Sequence, residues 1–163
     1  MSFGATQAAA PTHNPNNGAR AQHRGHSRAA RTPAHRHHSF APLADVEVPN
    51  AATDGISCVA WSPASNHIVA GSWDNQIRCW EVQANGSSVP KAAISHEGPV
   101  LCASWTNDGT KVYTGSCDKT AKIWDLATSQ ATQCAAHDQP IKNIFWVQEM
   151  SCVVTASWDK TIK

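Results

Sequence analysis

The sequence has 163 residues and a formal charge of +1, from 13 Lys and Arg against 12 Asp and Glu. That length is roughly one domain's worth. No run of about 18 apolar residues occurs, and the first residues carry neither a charged nor an apolar leader region, so the sequence predicts no helical membrane span and no secretory signal.

Residues 1–44 hold five Arg, six His and no acid, with Met1, Phe3, Phe40 and Leu43 as the only large apolar residues. Such a chain cannot offset its conformational entropy by burial, so this segment reads as a disordered basic tail rich in Arg, His, Ala and Pro. A basic flexible arm could touch RNA phosphates. The acid-free composition also resembles a mitochondrial transit peptide, but Pro11, Pro15, Pro33 and Pro42 interrupt any amphipathic helix. His35, His37 and His38 would bind a metal weakly at best, and no metal site or cofactor is predicted.

Residues 45–163 hold all 12 acids, all seven Trp and all six Cys, for a net charge of −4. No C-x-x-C pair exists, which argues against a zinc ribbon or redox motif. The cysteines read as reduced thiols packed as small hydrophobes. Asn85-Gly86-Ser87 is a glycosylation sequon by pattern only, and without a secretory signal it carries no meaning.

This segment repeats. ISCVAWSPASNHIVAGSWDNQIRCWEV starts at Ile56, VLCASWTNDGTKVYTGSCDKTAKIWDL at Val100, and IKNIFWVQEMSCVVTASWDKTIK at Ile141. Asp74, Asp118 and Asp159 are equivalent, 44 and 41 residues apart. Trp61, Trp105 and Trp146 each fall five residues after the segment start. A period near 40–45 that ends in a Trp-Asp-like pair is the signature of a propeller blade. Runs rich in Val, Ile, Cys, Trp and Thr predict strands at 67–72, 111–116 and 152–157. Ser62-Pro63, Asn107-Asp108-Gly109 and the tips at Trp73-Asp74-Asn75 and Cys117-Asp118-Lys119 predict the turns between them. Each segment therefore reads as strands a, b and c. A fourth strand, d, is expected near 89–94 and 131–136.

On these residues the chain resembles the WD-repeat family, and the resemblance implies an all-β propeller of seven blades. About two and a half would lie here, as repeats near 52–94, 96–136 and 137–163. In the second repeat His96, Ser116, Asp118 and Trp124 occupy the positions of that family's structural hydrogen-bond tetrad. The chemistry is coherent: the indole only donates, the hydroxyl does both, the imidazole relays and the carboxylate accepts. The first repeat keeps Ser72, Asp74 and Trp80 but has Ala52 where the His should stand; the third keeps His137, Ser157 and Asp159. Ser, His and Asp together invite a hydrolase reading. A set that recurs with the blade period is scaffolding, however, and no G-x-S-x-G elbow or phosphate loop is present, so the sequence predicts a non-enzyme.

The runs AGSWDNQIRCWEVQ, VPKA, GPVL, YTGSCDKTAKIWDL, AAHDQPIK and TASWDK are similar to the mRNA (poly(A) RNA) export branch of the family, the Rae/Gle type. The Bub-type mitotic-checkpoint branch is a close relative. In the tail only Phe3-Gly4 matches the FG dipeptide near the branch's start. The resemblance implies a scaffold at the nuclear pore that binds a GLEBS-type motif of an FG nucleoporin, with RNA and ubiquitin as further contacts, located at the nuclear rim and also in the cytoplasm. A kinetochore checkpoint scaffold and a generic substrate adaptor are the competing readings. Two blades and part of a third leave end faces bare, which predicts that the 163-residue chain is not a stable monomer. The residue before each tip Asp is Trp73, Cys117 and Trp158. If the preceding Ser points inward, these point outward. Trp73 and Trp158 are then candidate peptide anchors, with Lys119 and Lys160 adding charge beside them.

Overall fold

The computed structural model describes residues 45–163; the expectations for the tail at 1–44 lie outside the described residues. Every regular element described is a strand. The first sheet joins β1 (Ile56–Trp61), β2 (His67–Ser72), β3 (Gln76–Val82) and β4 (Ser88–Ser95) in that order. The second joins β5 (Val100–Trp105), β6 (Lys111–Ser116), β7 (Thr120–Asp125) and β8 (Gln130–Ala136). The third pairs β9 (Ile141–Val147) with β10 (Cys152–Ser157). All pairings are antiparallel. The three strands read as b from sequence are β2, β6 and β10, and the two read as d are β4 and β8. After β10, Ala156 bridges Ile162, and Thr155 and Lys163 exchange backbone hydrogen bonds of 2.9 Å, so residues 161–163 lie where β3 and β7 lie in the other sheets.

The turns at the β2–β3, β6–β7 and β10 tips need a left-handed residue. Asn75, Lys119 and Lys160 supply it with φ of 69°, 71° and 72°. Asparagine accepts that region readily. The two lysines are less usual there, and the Asp before each explains them: its carboxylate accepts the amide of the residue two places on, at 3.1, 2.9 and 2.8 Å, and closes the turn.

The core lies between sheets rather than within one. Val69, Ile77 and Cys79 of the first sheet cluster with Val100, Trp105, Val112 and Trp124 of the second. Cys102, Tyr113 and Ala121 of the second cluster with Ile141 and Ile144 of the third. Burying each such Val or Ile contributes about 1.5–3 kcal/mol. The Trp105 indole donates to the Ala60 carbonyl at 3.0 Å, and Tyr113 stacks on Trp146 with centroids 5.4 Å apart. All six cysteines are free. Burial pushes the Cys79 thiol up to about 11 and that of Cys102 up to about 12, so both stay protonated and pack as small apolar groups.

Each contact between sheets depends on a glycine in the second strand. A Cβ on Gly71 would stand 2.8 Å from Val100 Cγ1, and one on Gly115 would stand 2.7 Å from Ile141 Cγ2. These glycines serve close approach rather than an unusual φ. Gly115→Ala should therefore cost about 1–3 kcal/mol through overpacking. Chemical denaturation of the variant against the parent chain measures it, and a stability equal to the parent's would mean that the second and third sheets can part without cost.

Candidate functional site

The edge where β2–β3 and β6–β7 turns meet the loops entering β1, β5 and β9 carries nearly all the residues singled out from sequence. Trp73, Cys117 and Trp158 donate backbone amides to Gly55, Pro99 and Pro140 of those loops at 2.9, 2.8 and 3.1 Å. Each turn is thereby tied to its loop. The serine just before supports the tie. Ser116 Oγ donates to the Gly98 carbonyl at 2.9 Å and accepts the Asp118 amide at 3.0 Å. Ser157 bonds Gln139 and Asp159 in the same way, and Ser72 bonds Gly55 and Asp74.

The tetrad differs from the sequence assignment in its hydroxyl. His96 Nε2 meets Thr114 Oγ1 at 2.8 Å, not Ser116, and His137 Nε2 meets Thr155 Oγ1 at 2.8 Å, not Ser157. Residues 114 and 116 share a face of β6, so alternation alone does not choose between them. Distance does: Ser116 is turned to the loop carbonyl, and Thr114 stands deeper, beside the ring. In the first sheet the corresponding residue is Ala70, so Ser72 is likewise outside any such network. His96 Nδ1 donates to Asp118 Oδ2 at 2.8 Å, and His137 Nδ1 to Asp159 Oδ2 at 2.8 Å. Because an ionised carboxylate only accepts, the proton sits on Nδ1, and Nε2 takes the threonine hydroxyl's proton. Trp124, fully buried, lies diagonally across from Thr114, but its Nε1 has no hydrogen-bond partner. The indole makes no hydrogen bond to the ring or the hydroxyl and packs instead in the cluster with Val69, Val100 and Val112.

The first sheet replaces the whole device. Ala52 and Ala70 stand where His and Thr stand elsewhere. Asp74 keeps the loop amide, that of Thr53 at 3.0 Å, as Asp118 keeps that of Glu97, and takes Arg78 Nη2 at 2.8 Å in place of the ring. Arg78 corresponds to Lys122 and Lys163, whose ammonium groups reach the Ser95 and Ala136 carbonyls at 2.8 Å instead. The Trp80 indole donates to the Pro49 carbonyl at 2.8 Å. Burial raises the Asp74 carboxyl, but Arg78 and the Thr53 and Gln76 amides outweigh it and hold the group well below the usual carboxylate range. Asp118 shows the same balance: burial raises it, and Thr120 with His96 draws it below the ordinary value. Nothing in composition pointed to Thr114, Thr155 or Arg78. The signal available was covariation between repeats: the repeat without the His also lacks the Thr and carries Arg for Lys.

Thr114, His96 and Asp118 form the linear hydroxyl–imidazole–carboxylate array of a hydrolytic triad. Thr114 is 0% and His96 4% exposed, so no substrate reaches the hydroxyl. The array recurs with Thr155, His137 and Asp159. Among the described residues no group of three or more His, Cys, Asp or Glu side chains is placed to hold a metal ion.

The outward-facing residues at the same edge are accessible. Trp73 is 49% and Trp158 56% exposed, and Lys119 and Lys160 are exposed beside Asp118 and Asp159. Cys117 is half-buried between them in sequence order and offers no comparable surface.

The family model described as WD domain, G-beta repeat matches residues 46–81, 89–125 and 128–163. The chain is 51% identical over 118 residues to an mRNA export factor of Xenopus tropicalis, covering 69% of this chain and 32% of that one. It is 53% identical over 121 residues to an mRNA export factor of Danio rerio, covering 71% and 33%. The chain therefore spans about a third of the length of these relatives. Among solved structures, that of U3-55K matches with a TM-score of 0.61 at 21% identity, over 72% of this chain and 37% of that one. The RRP9 WD40 repeats match with the same values. At that identity the likeness concerns fold alone.

Two outcomes follow from the network. His96→Ala takes one donor from Asp118 and leaves the Thr114 hydroxyl only the long 3.4 Å contact to the Lys122 carbonyl, and should cost roughly 1–3 kcal/mol. Adding Thr114→Ala should cost less than the sum of the two single changes, because the pair then reproduces the Ala52/Ala70 arrangement; a double-mutant cycle by denaturant titration reads the difference, and strict additivity would contradict the shared network. The second outcome concerns pH. Burial holds the His96 imidazole below its ordinary 6.5, against the pull of Asp118. The unfolded chain then binds the proton more readily, so stability is full above about 6.5 and falls as pH drops. Thermal midpoints at fixed protein concentration should decline from pH 7 to pH 5, with a shallower decline in His96→Ala.

Proposed function

The chain belongs to the WD domain, G-beta repeat family, and from that premise we propose that it serves as a non-catalytic docking scaffold in mRNA export, binding a GLEBS-type motif of an FG nucleoporin at the nuclear pore. The observation that carries this reading is the pair of exposed indoles, Trp73 and Trp158, at equivalent turns. About half of each indole faces water, and a flat apolar surface with one donor suits a short peptide. Lys160, exposed in the Trp158 turn, and Lys119, exposed in the Cys117 turn, add positive charge to the same edge and favour a motif with acidic residues. The similarity to mRNA export factors of Xenopus tropicalis and Danio rerio supplies the process. RNA and ubiquitin are further contacts of the proposed scaffold, and its location is the nuclear rim, with a cytoplasmic pool.

The ordered polar residues serve this scaffold by fixing the turns. His96, Asp118 and Thr114 bond one another, and Thr114 and His96 are buried, which supports a structural role for the set. Binding of a synthetic GLEBS-type nucleoporin peptide, followed by fluorescence anisotropy, tests the proposal. Trp73→Ala and Trp158→Ala should each weaken binding by roughly 30-fold, the equivalent of about 2 kcal/mol. If both variants keep the parent circular dichroism and bind with unchanged affinity, the indoles are not anchors. In cells, a tagged chain at kinetochores with no rim signal would favour the checkpoint reading instead.

A further inference from the structure

The loop that enters β1 differs chemically from those that enter β5 and β9. Its backbone does the same work: the Gly55 carbonyl takes the Trp73 amide as the Pro99 and Pro140 carbonyls take those of Cys117 and Trp158. The residues, however, are Asp54-Gly55 where the other loops carry Gly98-Pro99 and Gln139-Pro140, a correspondence that the serine bonds to Asp54, Gly98 and Gln139 also fix. A proline nitrogen carries no hydrogen. The Gly55 nitrogen does, and it donates to Oδ1 of its own neighbour Asp54 at 2.6 Å. Both residues are exposed.

That contact sets a nucleophile beside an electrophile. The Asp54 carboxyl carbon is one bond beyond Oδ1, and closure of the Gly55 nitrogen onto it makes a five-membered ring. Holding the two groups together turns a search of conformations into a local step. Glycine leaves the nitrogen open, since only Trp73 Cδ1, at 3.6 Å, stands near the place a Cβ would take. The other Asp-Gly pair among the described residues, Asp108-Gly109, is bound differently. The Gly109 amide goes to the Thr106 carbonyl at 2.9 Å, and the Asp108 carboxylate takes the Thr110 amide and hydroxyl. Asn85-Gly86 is held in the same manner, by the Gln83 carbonyl and by Ser87.

We propose that Asp54-Gly55 is a site of spontaneous backbone isomerisation, which converts Asp54 to isoaspartate and loosens the turn that carries Trp73. With the carboxyl in its acid form, the Gly55 nitrogen bonds to the side-chain carbon, and the carboxyl hydroxyl leaves with the amide hydrogen as water. Water then adds back to the cyclic imide. Cleavage between the nitrogen and the side-chain carbonyl restores aspartate. Cleavage between the nitrogen and the main-chain carbonyl leaves the chain running through the side chain, one carbon longer and unchanged in mass. The added carbon falls between two ties to the same turn, the Thr53 amide on Asp74 at 3.0 Å and the Gly55 carbonyl on the Trp73 amide at 2.9 Å. The lengthened loop cannot keep both, and on the docking reading one of the two indole anchors is lost with them.

Ageing of the full chain at neutral pH and physiological temperature tests this, with peptide mapping by fragmentation that distinguishes isoaspartate from aspartate. In the folded chain isoaspartate should accumulate at residue 54 at least roughly 10-fold faster than at residue 108. In urea the two Asp-Gly pairs should draw level, because the difference lies in the fold. Gly55→Pro, which takes the residue of the other two loops, should abolish the product at 54 with the strand circular dichroism retained. If that variant loses its circular dichroism, Gly55→Ala, which meets only an ordinary contact, takes its place and should slow the reaction. No isoaspartate at 54, equal rates at 54 and 108 in the folded chain, or a ratio that persists in urea overturns the proposal. The isomerised fraction, separated by chromatography, should unfold at lower urea than the parent, and an equal midpoint would overturn the loosening of the turn. Weaker binding of the GLEBS-type peptide by that fraction bears on the docking reading alone, since neither the mapping nor the urea midpoint uses the peptide.

Discussion

One carboxylate per repeat organises everything at the functional edge. Asp74, Asp118 and Asp159 each close their own turn with one oxygen and hold the preceding loop with the other. Asp118 Oδ1 takes the Thr120 amide and hydroxyl, while Oδ2 takes His96 and the Glu97 amide. The turn and loop are far apart in sequence, and the carboxylate joins them alongside the serine hydroxyl and the turn's backbone amide. Saturating a carboxylate with donors costs little solvation, because each lost water is replaced by a fixed amide, hydroxyl or ring N–H. The left-handed Asn75, Lys119 and Lys160 follow from the closed turn, and the outward Trp73 and Trp158 stand beside the inward-bonded Ser72 and Ser157. Without the Asp, the indole-bearing turns would keep only the amide and serine ties to their loops.

The packing between sheets follows a different rule, set by backbone approach. A strand residue of Val or Ile enters the space left by a missing Cβ in the neighbouring sheet, at Gly71 and again at Gly115. Cys58 and Cys102 line the same spaces with their sulfurs. This explains why small, soft residues cluster along the inner strands although no disulfide or metal uses them. It also explains why the core is distributed: each of the two clusters is shared between neighbouring sheets, and the second sheet contributes to both.

Much of the fold was legible in the sequence because it repeats. Three copies of a strand-turn-strand pattern fix register by comparison, and the second strands fall where the runs of Val, Ile, Thr and Cys place them. The equivalence of Asp74, Asp118 and Asp159, and the loss of His at Ala52, could also be read directly. The identity of the hydroxyl could not. Ser116 and Thr114 alternate onto one face, both are buried, and both can donate and accept, so only the position of the ring separates them. The Arg78 substitution was equally invisible, since an Arg in the place of a Lys usually means nothing until its guanidinium is seen on Asp74. Side-chain reach, unlike strand period, leaves no trace in composition.

The paired absence of His and Thr from the first sheet has a consequence for how such repeats diverge. A buried imidazole without its hydroxyl leaves Nε2 with nothing to bond, and a hydroxyl without its imidazole keeps only a long contact to a strand carbonyl, 3.4 Å from Thr114 to Lys122. A lineage that drifts from one arrangement to the other must therefore cross a less stable intermediate, or make both changes nearly together. The repeats are thus confined to two habitable states, a wired one and a greasy one, with a ridge between them. Ala52 and Ala70 mark a blade on the far side of that ridge. Its Trp80 has found a new acceptor in Pro49 and its Asp74 a permanent cation in Arg78, so the way back is no longer a simple reversal.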